Sequence, residues 1–240
     1  MKKFLKKIKK CWHRVKACPL VGVPYEKLIG YRRLEAYERK RREELQEVGI
    51  PLTSRICSAL RQRSIYCFCA YGSLLGLIRD GHYLHHDNDI DIGVYIKNAA
   101  DWDILCREMT KLGLHKIQEF SFRGLVMEQT YRRNRLTVDF FNYIERNDET
   151  VSYGFLRKAD VCYADENDFT VREHHLPILS EICTMNFQGY DIPVPINYAV
   201  YLEGEYGVSW QIPDPNWIDG VSDTVQEIPD ETAKKVAFDE

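Results

Sequence analysis

The sequence lacks the long apolar stretch that a membrane-spanning helix needs. No run approaches about 20 apolar residues, and lysines interrupt the apolar residues near the N-terminus, so no secretory leader is expected. None of the eight cysteines belongs to a C-x-x-C pair, which makes a zinc-thiolate site a weak interpretation. These features predict a reducing, cytoplasmic location.

A strong excess of one charge is also missing. The 33 Lys and Arg residues nearly balance the 36 Asp and Glu residues, for a formal net charge of −3. This balance gives no reason to expect nucleic-acid binding. The charge is unevenly distributed, however, because residues 1–17 are basic without any acid and residues 219–240 are mostly acidic.

The basic segment has helical periodicity. Phe4, Ile8, Trp12 and Val15 fall on one side of a 3.6-residue repeat, and lysine and arginine occupy the other. Such a helix can lie on an anionic membrane surface, or it can pack on its own domain with the charges in water. Residues 1–17 therefore predict either a peripheral membrane contact or a solvated helix.

The remaining pattern predicts one folded domain with appendages. We expect a basic amphipathic segment over residues 1–20, a domain over residues 21–218 and a loose acidic tail over residues 219–240. Residues 24–49 predict a helix that ends near Gly49, and residues 52–63 predict another short one. Buried and alternating strands then mix with helices, and a hairpin is expected around Gly189.

Three aspartates alternate with apolar residues in the stretch AYGSLLGLIRDGHYLHHDNDIDIGVY, residues 70–95. Asp87, Asp89 and Asp91 occupy every second position, and a strand points alternate side chains to opposite faces. Crowded carboxylates repel each other and are costly to bury without a positive partner. Hard oxygen ligands suit Mg²⁺ shared with substrate phosphates, so the pattern predicts a divalent-metal site; Mn²⁺ is the other candidate ion.

A Gly-Ser turn and a distant aspartate extend this predicted site. Gly72 and Ser73 open a short helix after a buried strand, where backbone N–H groups can approach a phosphate closely. Asp139 interrupts the buried strand pattern of LTVDFF and would add a further carboxylate. The alternative is a set of water-exposed turn acids, because D-x-D alone is a weak signal. The combination favours a metal and phosphate site.

These residues also resemble the signature of the LicD/fukutin-related family. GSLLGLIRDGHYLHHDNDIDIGV is similar to the family's G-[ST]-L-L-G-x-x-R segment and acidic run, and LTVDFF is similar to its strand acid. VPINYAVYLEGEYGVSWQIP resembles the family's C-terminal pattern, so the resemblance covers residues 66–217. It implies an α+β fold with a nucleotidyltransferase-type mixed or antiparallel sheet, flanked by helices and preceded by N-terminal helices.

The resemblance implies a reaction as well. Members transfer a phospho-alcohol, of the phosphocholine, ribitol phosphate or glycerol phosphate type, from a CDP-linked donor to a glycan and release CMP. Asp89 and Asp91 would be the principal metal ligands, and Asp87 and Asp139 would complete the ligand set. Asp89, Asp91 and Asp139 would be the catalytic residues, with Asp139 also taking the proton of the acceptor hydroxyl.

Further residues are assigned by the resemblance with alternatives. Gly72, Ser73 and Arg79 would bind the donor phosphates, although Arg79 is nearly as well explained by a salt bridge to a nearby acid. His85 and His86 stand where the family commonly has Pro-Trp; they would touch phosphate, line the acceptor side or fill space.

Three arginines precede Asp139 in the stretch TYRRNRL. Arg132, Arg133 and Arg135 would offer cations to a diphosphate or an anionic acceptor, or they form a solvated hairpin tip.

The expected partners are a CDP-linked alcohol and a glycan or lipid-linked glycan acceptor. The expected process is the synthesis of cell-surface polysaccharide, lipopolysaccharide or teichoic acid, at the cytoplasmic face of a membrane. A true nucleotidyltransferase that uses an NTP and releases diphosphate is the enzymatic alternative. A non-catalytic nucleotide-binding or scaffold protein is the alternative of another class.

Overall fold

The computed structural model describes residues 19–179, 181–215, 217, 222 and 224–238. The predicted α+β class is confirmed, with four helices and eleven strands in this part of the chain. The helices are α1 (Pro19–Arg61), α2 (Tyr71–Asp80), α3 (Ala99–Lys111) and α4 (Tyr198–Tyr206). The strands are β1 (Tyr66–Cys69), β2 (Asp89–Tyr95), β3 (His115–Phe122), β4 (Leu125–Arg133), β5 (Leu136–Asn142), β6 (Ile144–Arg146), β7 (Glu149–Leu156), β8 (Asp168–Leu176), β9 (Ile182–Phe187), β10 (Tyr190–Pro195) and β11 (Val225–Ala237).

The chain divides into two units, Met1–Arg41 and Arg42–Glu240. The predicted basic segment falls almost wholly on residues 1–18, which lie outside the described residues, so it stays a prediction. Among the described helices, none is both long enough and apolar enough to cross a bilayer.

Helix α1 corrects the expected break at Gly49. The helix continues through Gly49 and Pro51 to Arg61, where the sequence predicted two helices. A Cβ at position 49 would lie 2.6 Å from the ring of Tyr83. Gly49 is therefore explained by a close tertiary contact within the helix, whereas the sequence pattern indicated a helix end.

A nine-stranded mixed sheet contains nine of the eleven described strands. Its strand order is β1-β2-β5-β4-β3-β11-β8-β7-β6, and β9 and β10 form a separate hairpin. The pair β2–β5 is parallel, whereas the other pairs of neighbouring strands in the described part of the two sheets are antiparallel. The predicted hairpin at Gly189 is confirmed. Strands β6, β7 and β8 were not predicted.

Strand β11 corrects the expected loose tail. Val225–Ala237 lies between β3 and β8 and pairs with both, through a register irregularity between Ile228 and Thr232. Few side chains of this strand are buried, which is consistent with its mostly polar composition. Two of its acids form ion pairs with basic residues of neighbouring connections. Arg123 binds Glu231 at 2.5 Å, and Lys158 binds Glu227 at 3.0 Å.

The core lies where the helices cover β1, β2 and β5. Ile90, Ile92 and Val138 are fully buried in it, as the alternating pattern predicted. Cys67 and Cys69 are buried thiols in the same cluster. This packing leaves the alternate positions of β2 and β5, which carry the aspartates, on the opposite face.

Candidate active site

The turn between β1 and α2 sets the first wall of the site. Tyr71 has a left-handed backbone conformation, with φ of 43°, and its N–H donates to the hydroxyl of Tyr201 at 2.9 Å. Gly72 follows, and a Cβ there would lie 2.8 Å from Oδ2 of Asp87. Only glycine therefore lets that carboxylate approach the start of α2, where unpaired N–H groups favour an anion.

The parallel pairing of β2 with β5 brings the distant aspartate to the site. Asp91 is the register partner of Asp139, and Asp89 is the partner of Thr137. Neighbouring strands lie about 4.8 Å apart, so Asp91 and Asp139 are adjacent on one face. The strand register therefore places Asp139 beside the alternating acids, although 47 residues lie between Asp91 and Asp139 in the sequence. 

Hydrogen bonds fix two of these carboxylates. The N–H of Asp91 donates to Oγ of Ser73 at 2.8 Å, and the N–H of Ser73 donates to Oδ2 of Asp91 at 3.4 Å. Thr130, on β4, donates its hydroxyl to Oδ1 of Asp139. Ser73 is fully buried, so in this structure its hydroxyl orients Asp91 and is not exposed to a ligand.

The carboxylates perturb one another electrostatically. Burial raises the pKa of Asp91 well above its usual value, and the charges of Asp89, Asp139 and Asp87 raise it further. Burial and then the charge of Asp89 raise the pKa of Asp87 to about 6, against the opposing effect of His86 and Arg79. We call Asp87, Asp89, Asp91 and Asp139 the acid cluster.

The acid cluster has the donor chemistry of a hard cation site. Its oxygen donors suit Mg²⁺ or Mn²⁺, and a dication would offset the mutual repulsion that raises the pKa of Asp91. Among the residues that the structure describes, no three His, Cys, Asp or Glu side chains are already arranged as a ligand shell. The donor types and charges therefore fit a metal, while the ligand set itself is a proposal.

A pocket of about 370 Å³ opens beside the acid cluster. Two segments of the chain line the pocket. One runs from α2 to the turn before β2, and the other begins at the last residue of α4. They contribute Gly72, Leu75, Arg79, Leu84, His86 and Asp87, and Tyr206, Ser209, Trp210, Ile212, Pro213, Asp214, Pro215 and Trp217. The pocket is thus continuous with the predicted phosphate-binding turn.

The other predicted residues divide between this pocket and its surroundings. Arg79 lines the pocket but also forms two hydrogen bonds with Asp80, at 3.0 and 2.9 Å. Nε2 of His86 lies 3.6 Å from Oδ1 of Asp87. The ring of His85 lies 4.7 Å from that of His82, and His85 is not among the lining residues.

Arg133 and Arg135 lie elsewhere. Arg133 lines a separate pocket of about 240 Å³ together with Glu44 and Leu136. Nη1 of Arg135 lies 3.6 Å from Oε2 of the same Glu44. The structure therefore does not bring these arginines into the pocket that Asp87 lines.

Several residues of the site were not predicted from the sequence. Thr130 and Glu128 occupy alternate positions of β4, on the face that carries Asp139. Glu128 is 8% exposed, and burial followed by the charge of Asp139 raises its pKa well above the usual value. The available signal was EQT, a run of three polar residues inside a predicted strand. Tyr206 and Trp210, which lie in the stretch that is similar to the family's C-terminal pattern, also line the pocket.

Comparison with solved structures adds a weak likeness. A solution structure of the antibiotic-resistance factor ANT(2'')-Ia matches 72% of this chain and 78% of its own, at 12% identity and a TM-score of 0.42. At this TM-score the likeness carries no argument about the site.

Curated proteins give closer sequence relatives. The ribitol-5-phosphate transferase FKTN of Mus musculus is 23% identical over 186 residues, which are 75% of this chain and 35% of that protein. The ribitol 5-phosphate transferase FKRP of the same species is 27% identical over 146 residues, 57% of this chain and 26% of that protein. The chain thus spans about a third or less of the length of these relatives.

A family model supplies the assignment. The model for the LicD/FKTN/FKRP nucleotidyltransferase domain matches residues 64–197. That range begins just before β1 and includes the Gly-Ser turn and the whole acid cluster. The match covers more than half of the 240 residues, so the resemblance seen in the motifs is confirmed, and this chain belongs to the LicD/FKTN/FKRP nucleotidyltransferase domain family.

Proposed function

We propose that this protein transfers a phospho-alcohol from a CDP-linked donor to a glycan hydroxyl and releases CMP, in a metal-dependent reaction. The observation that carries the proposal is the register of β2 and β5, which pairs Asp91 with Asp139 beside the Gly72–Ser73 turn. Ribitol phosphate is the first alcohol to test, because the curated relatives are named as ribitol 5-phosphate transferases.

The acid cluster would hold the cation, with Asp89 and Asp91 as the principal ligands. A bound Mg²⁺ or Mn²⁺ would neutralise charge on the donor phosphates and make the acceptor hydroxyl easier to deprotonate. Backbone N–H groups at Gly72 and Ser73 would bind a phosphate oxygen at the start of α2. The buried hydroxyl of Ser73 would act indirectly, because it holds the backbone of Asp91 in place.

The chain's own residues account for the rest of the reaction. The acceptor oxygen forms a bond to the phosphorus that carries the alcohol, and the bond from that phosphorus to the CMP oxygen breaks. Asp139 takes the hydroxyl proton, and the hydrogen bond from Thr130 orients the carboxylate for this role. Most of the catalysis would come from positioning and electrostatics, as expected for phosphoryl transfer.

Nucleotidyl transfer from an NTP is the second candidate. The matching family model is described as a nucleotidyltransferase domain, and the same acids and turn would serve either reaction. The two reactions differ in the bond that breaks, so they differ in product. Phospho-alcohol transfer from a CDP donor releases CMP, whereas nucleotidyl transfer from an NTP releases diphosphate.

Product analysis tests the proposal. The protein is incubated with CDP-ribitol, CDP-glycerol, CDP-choline or CTP, a glycan acceptor panel, and Mg²⁺, Mn²⁺ or EDTA. We expect CMP from one CDP-alcohol, no product with EDTA, and no product from Asp91→Asn. Asp103→Asn, on the exposed side of α3, is the matched control and should keep wild-type activity. Diphosphate release from CTP without CMP would favour the second candidate, and full activity of Asp89→Ala would refute the catalytic assignment.

We propose that the acceptor is membrane-proximal, in cell-surface glycan synthesis at the cytoplasmic face of a membrane. The basic residues 2–16 support this idea, because clustered Lys and Arg are attracted to anionic lipid surfaces. Co-sedimentation with vesicles of anionic and of neutral lipid tests it. Binding to the anionic vesicles that disappears when residues 1–17 are deleted is the expected result, and unchanged binding would contradict it.

A further inference from the structure

The segment after α4 gives the pocket an aromatic wall that the proposed chemistry does not use. Tyr206 is the last residue of α4, and the rings of Tyr206 and Trp217 are 5.0 Å apart at 44°. Both line the pocket together with Gly72 and Asp87. We propose that Tyr206 and Trp217 form the surface on which the nucleotide base of the donor stacks. This inference rests on the proposed function, because it names the part of the site that recognises the donor.

The position of Tyr206 links the wall to the acid cluster. Burial raises the pKa of the Tyr206 hydroxyl well above its usual value, and the charges of Glu205, Asp91 and Asp87 raise it further. Tyr206 and Asp87 line the same pocket, and the ring of Tyr206 contacts that of Trp217. Phosphate, ribose and base follow one another in a nucleotide. With phosphates at the Gly72 turn, the base would lie against another part of the same pocket, which Tyr206 and Trp217 line.

The exposed fractions of the lining side chains distinguish residues that pack in the core from residues that are open to a ligand. Trp210 is 9% exposed and belongs to the core cluster, so packing accounts for it. Tyr206 is half-buried and packs against the same cluster, so Trp217 supplies the more exposed part of the wall. Trp217 is 42% exposed and Ile212 is 71% exposed, although both line a pocket. Large apolar groups left open beside polar catalytic residues are typical of a ligand surface. A flat base matches such a surface, because base–aromatic stacking buries apolar area without needing directed hydrogen bonds.

Binding of CMP, the expected product, tests the wall without catalysis. Quenching of tryptophan fluorescence reports contact with the indole, and calorimetry reports affinity. We expect CMP to quench the wild-type emission. Trp217→Phe should lose most of the quench and bind CMP within about threefold of wild type, since a phenyl ring still stacks. Trp217→Ala should weaken CMP binding by about tenfold or more.

Two controls isolate the base. Ribose 5-phosphate has the phosphate and sugar without the base, so Trp217→Ala should leave its affinity unchanged. Val208→Ala alters a residue that is 83% exposed and is not among the pocket-lining residues, and it should bind CMP like wild type. Circular dichroism confirms the fold of each variant.

The outcomes distinguish this inference from the proposed function. Wild-type CMP affinity in Trp217→Ala, or an equal loss for ribose 5-phosphate, would overturn the base-stacking wall. A raised KM for the glycan acceptor with unchanged CMP affinity would also overturn it, because the wall would then contact the acceptor. CMP binding that depends on Trp217, in a protein that consumes no CDP-alcohol, would support the wall and refute the phospho-alcohol transfer.

Discussion

Replacing Asp87 by Asn should stabilise the metal-free protein while removing its activity. The Asp87 side chain is 20% exposed, and its pKa is raised from 3.8 to about 6 by burial and by Asp89. A displacement of about two pH units corresponds to about 3 kcal/mol at 1.36 kcal/mol per unit. The charged form of Asp87 therefore opposes folding by an amount on the order of 2–3 kcal/mol, and Asn has nearly the same shape without the charge.

The sign of the pH dependence follows from the raised pKa. The folded protein holds the Asp87 proton more tightly than the unfolded chain does, so wild-type stability falls as the pH rises from about 4 to about 6. Below about pH 4 the carboxyl is protonated in both states, and the difference between Asp87→Asn and wild type should disappear. Above about pH 6 the full difference should be present, as a melting temperature about 5–10 °C higher for the variant.

Urea and thermal unfolding in EDTA, from pH 4 to pH 8, measure this difference. Asp103→Asn is the control and should change the unfolding free energy by less than about 0.5 kcal/mol at every pH. Saturating Mg²⁺ should reduce or reverse the advantage of the variant, because the ion binds the wild-type carboxylate better. An Asp87→Asn protein that is no more stable than wild type at pH 8 in EDTA would refute the idea that this carboxylate is held at an electrostatic cost.

Three further results are expected. Gly72→Ala would bring a methyl group to 2.8 Å from Oδ2 of Asp87, and we expect the transfer rate to fall by about tenfold or more, in steady-state kinetics, with a folded protein by circular dichroism. Ser73→Ala removes the acceptor of the Asp91 N–H at 2.8 Å, so the unfolding free energy in urea should fall by about 1–3 kcal/mol; no change would show that the bond does not order the site. Excess Mg²⁺ should raise the wild-type melting temperature measured by calorimetry, by an amount equivalent to about 3 kcal/mol at 100 times its Kd, and Asp91→Asn should lose most of that rise; an equal rise in both would place the ion elsewhere.

The elements around the acid cluster were predictable because local pattern and tertiary role agree there. Strand β2 has apolar Ile90 and Ile92 on one face and acids on the other, and the structure buries the apolar residues completely. The turn residues Gly72 and Ser73 were recognised from their size and position. The buried role of Ser73 was not, because a sequence does not show that its hydroxyl meets the backbone of Asp91.

The wrong predictions arise where a long-range contact decides the structure. Gly49 has the sequence signature of a helix end, but it fits against Tyr83, which is distant in sequence. Strand β11 has the composition of a solvated tail, and only its pairing with β3 and β8 orders it. The contact between the rings of Tyr206 and Trp217 was also not predicted, since the two residues share no periodic pattern and meet only in the folded chain.

The place of β11 in the strand order has a consequence for biosynthesis. The sheet consists of β1-β2-β5-β4-β3 on one side and β8-β7-β6 on the other, and among the described strands it is β11 that joins β3 to β8 by strand pairing. The ribosome must therefore synthesise the chain as far as Ala237, the last residue of β11, before the two parts can join in one sheet. Until then both β3 and β8 present an open edge, of the kind that recruits chaperones or pairs wrongly with other chains. A recombinant version that ends near residue 217, just after the recognisable motifs, would lack β11. The edges of β3 and β8 would then stay exposed permanently.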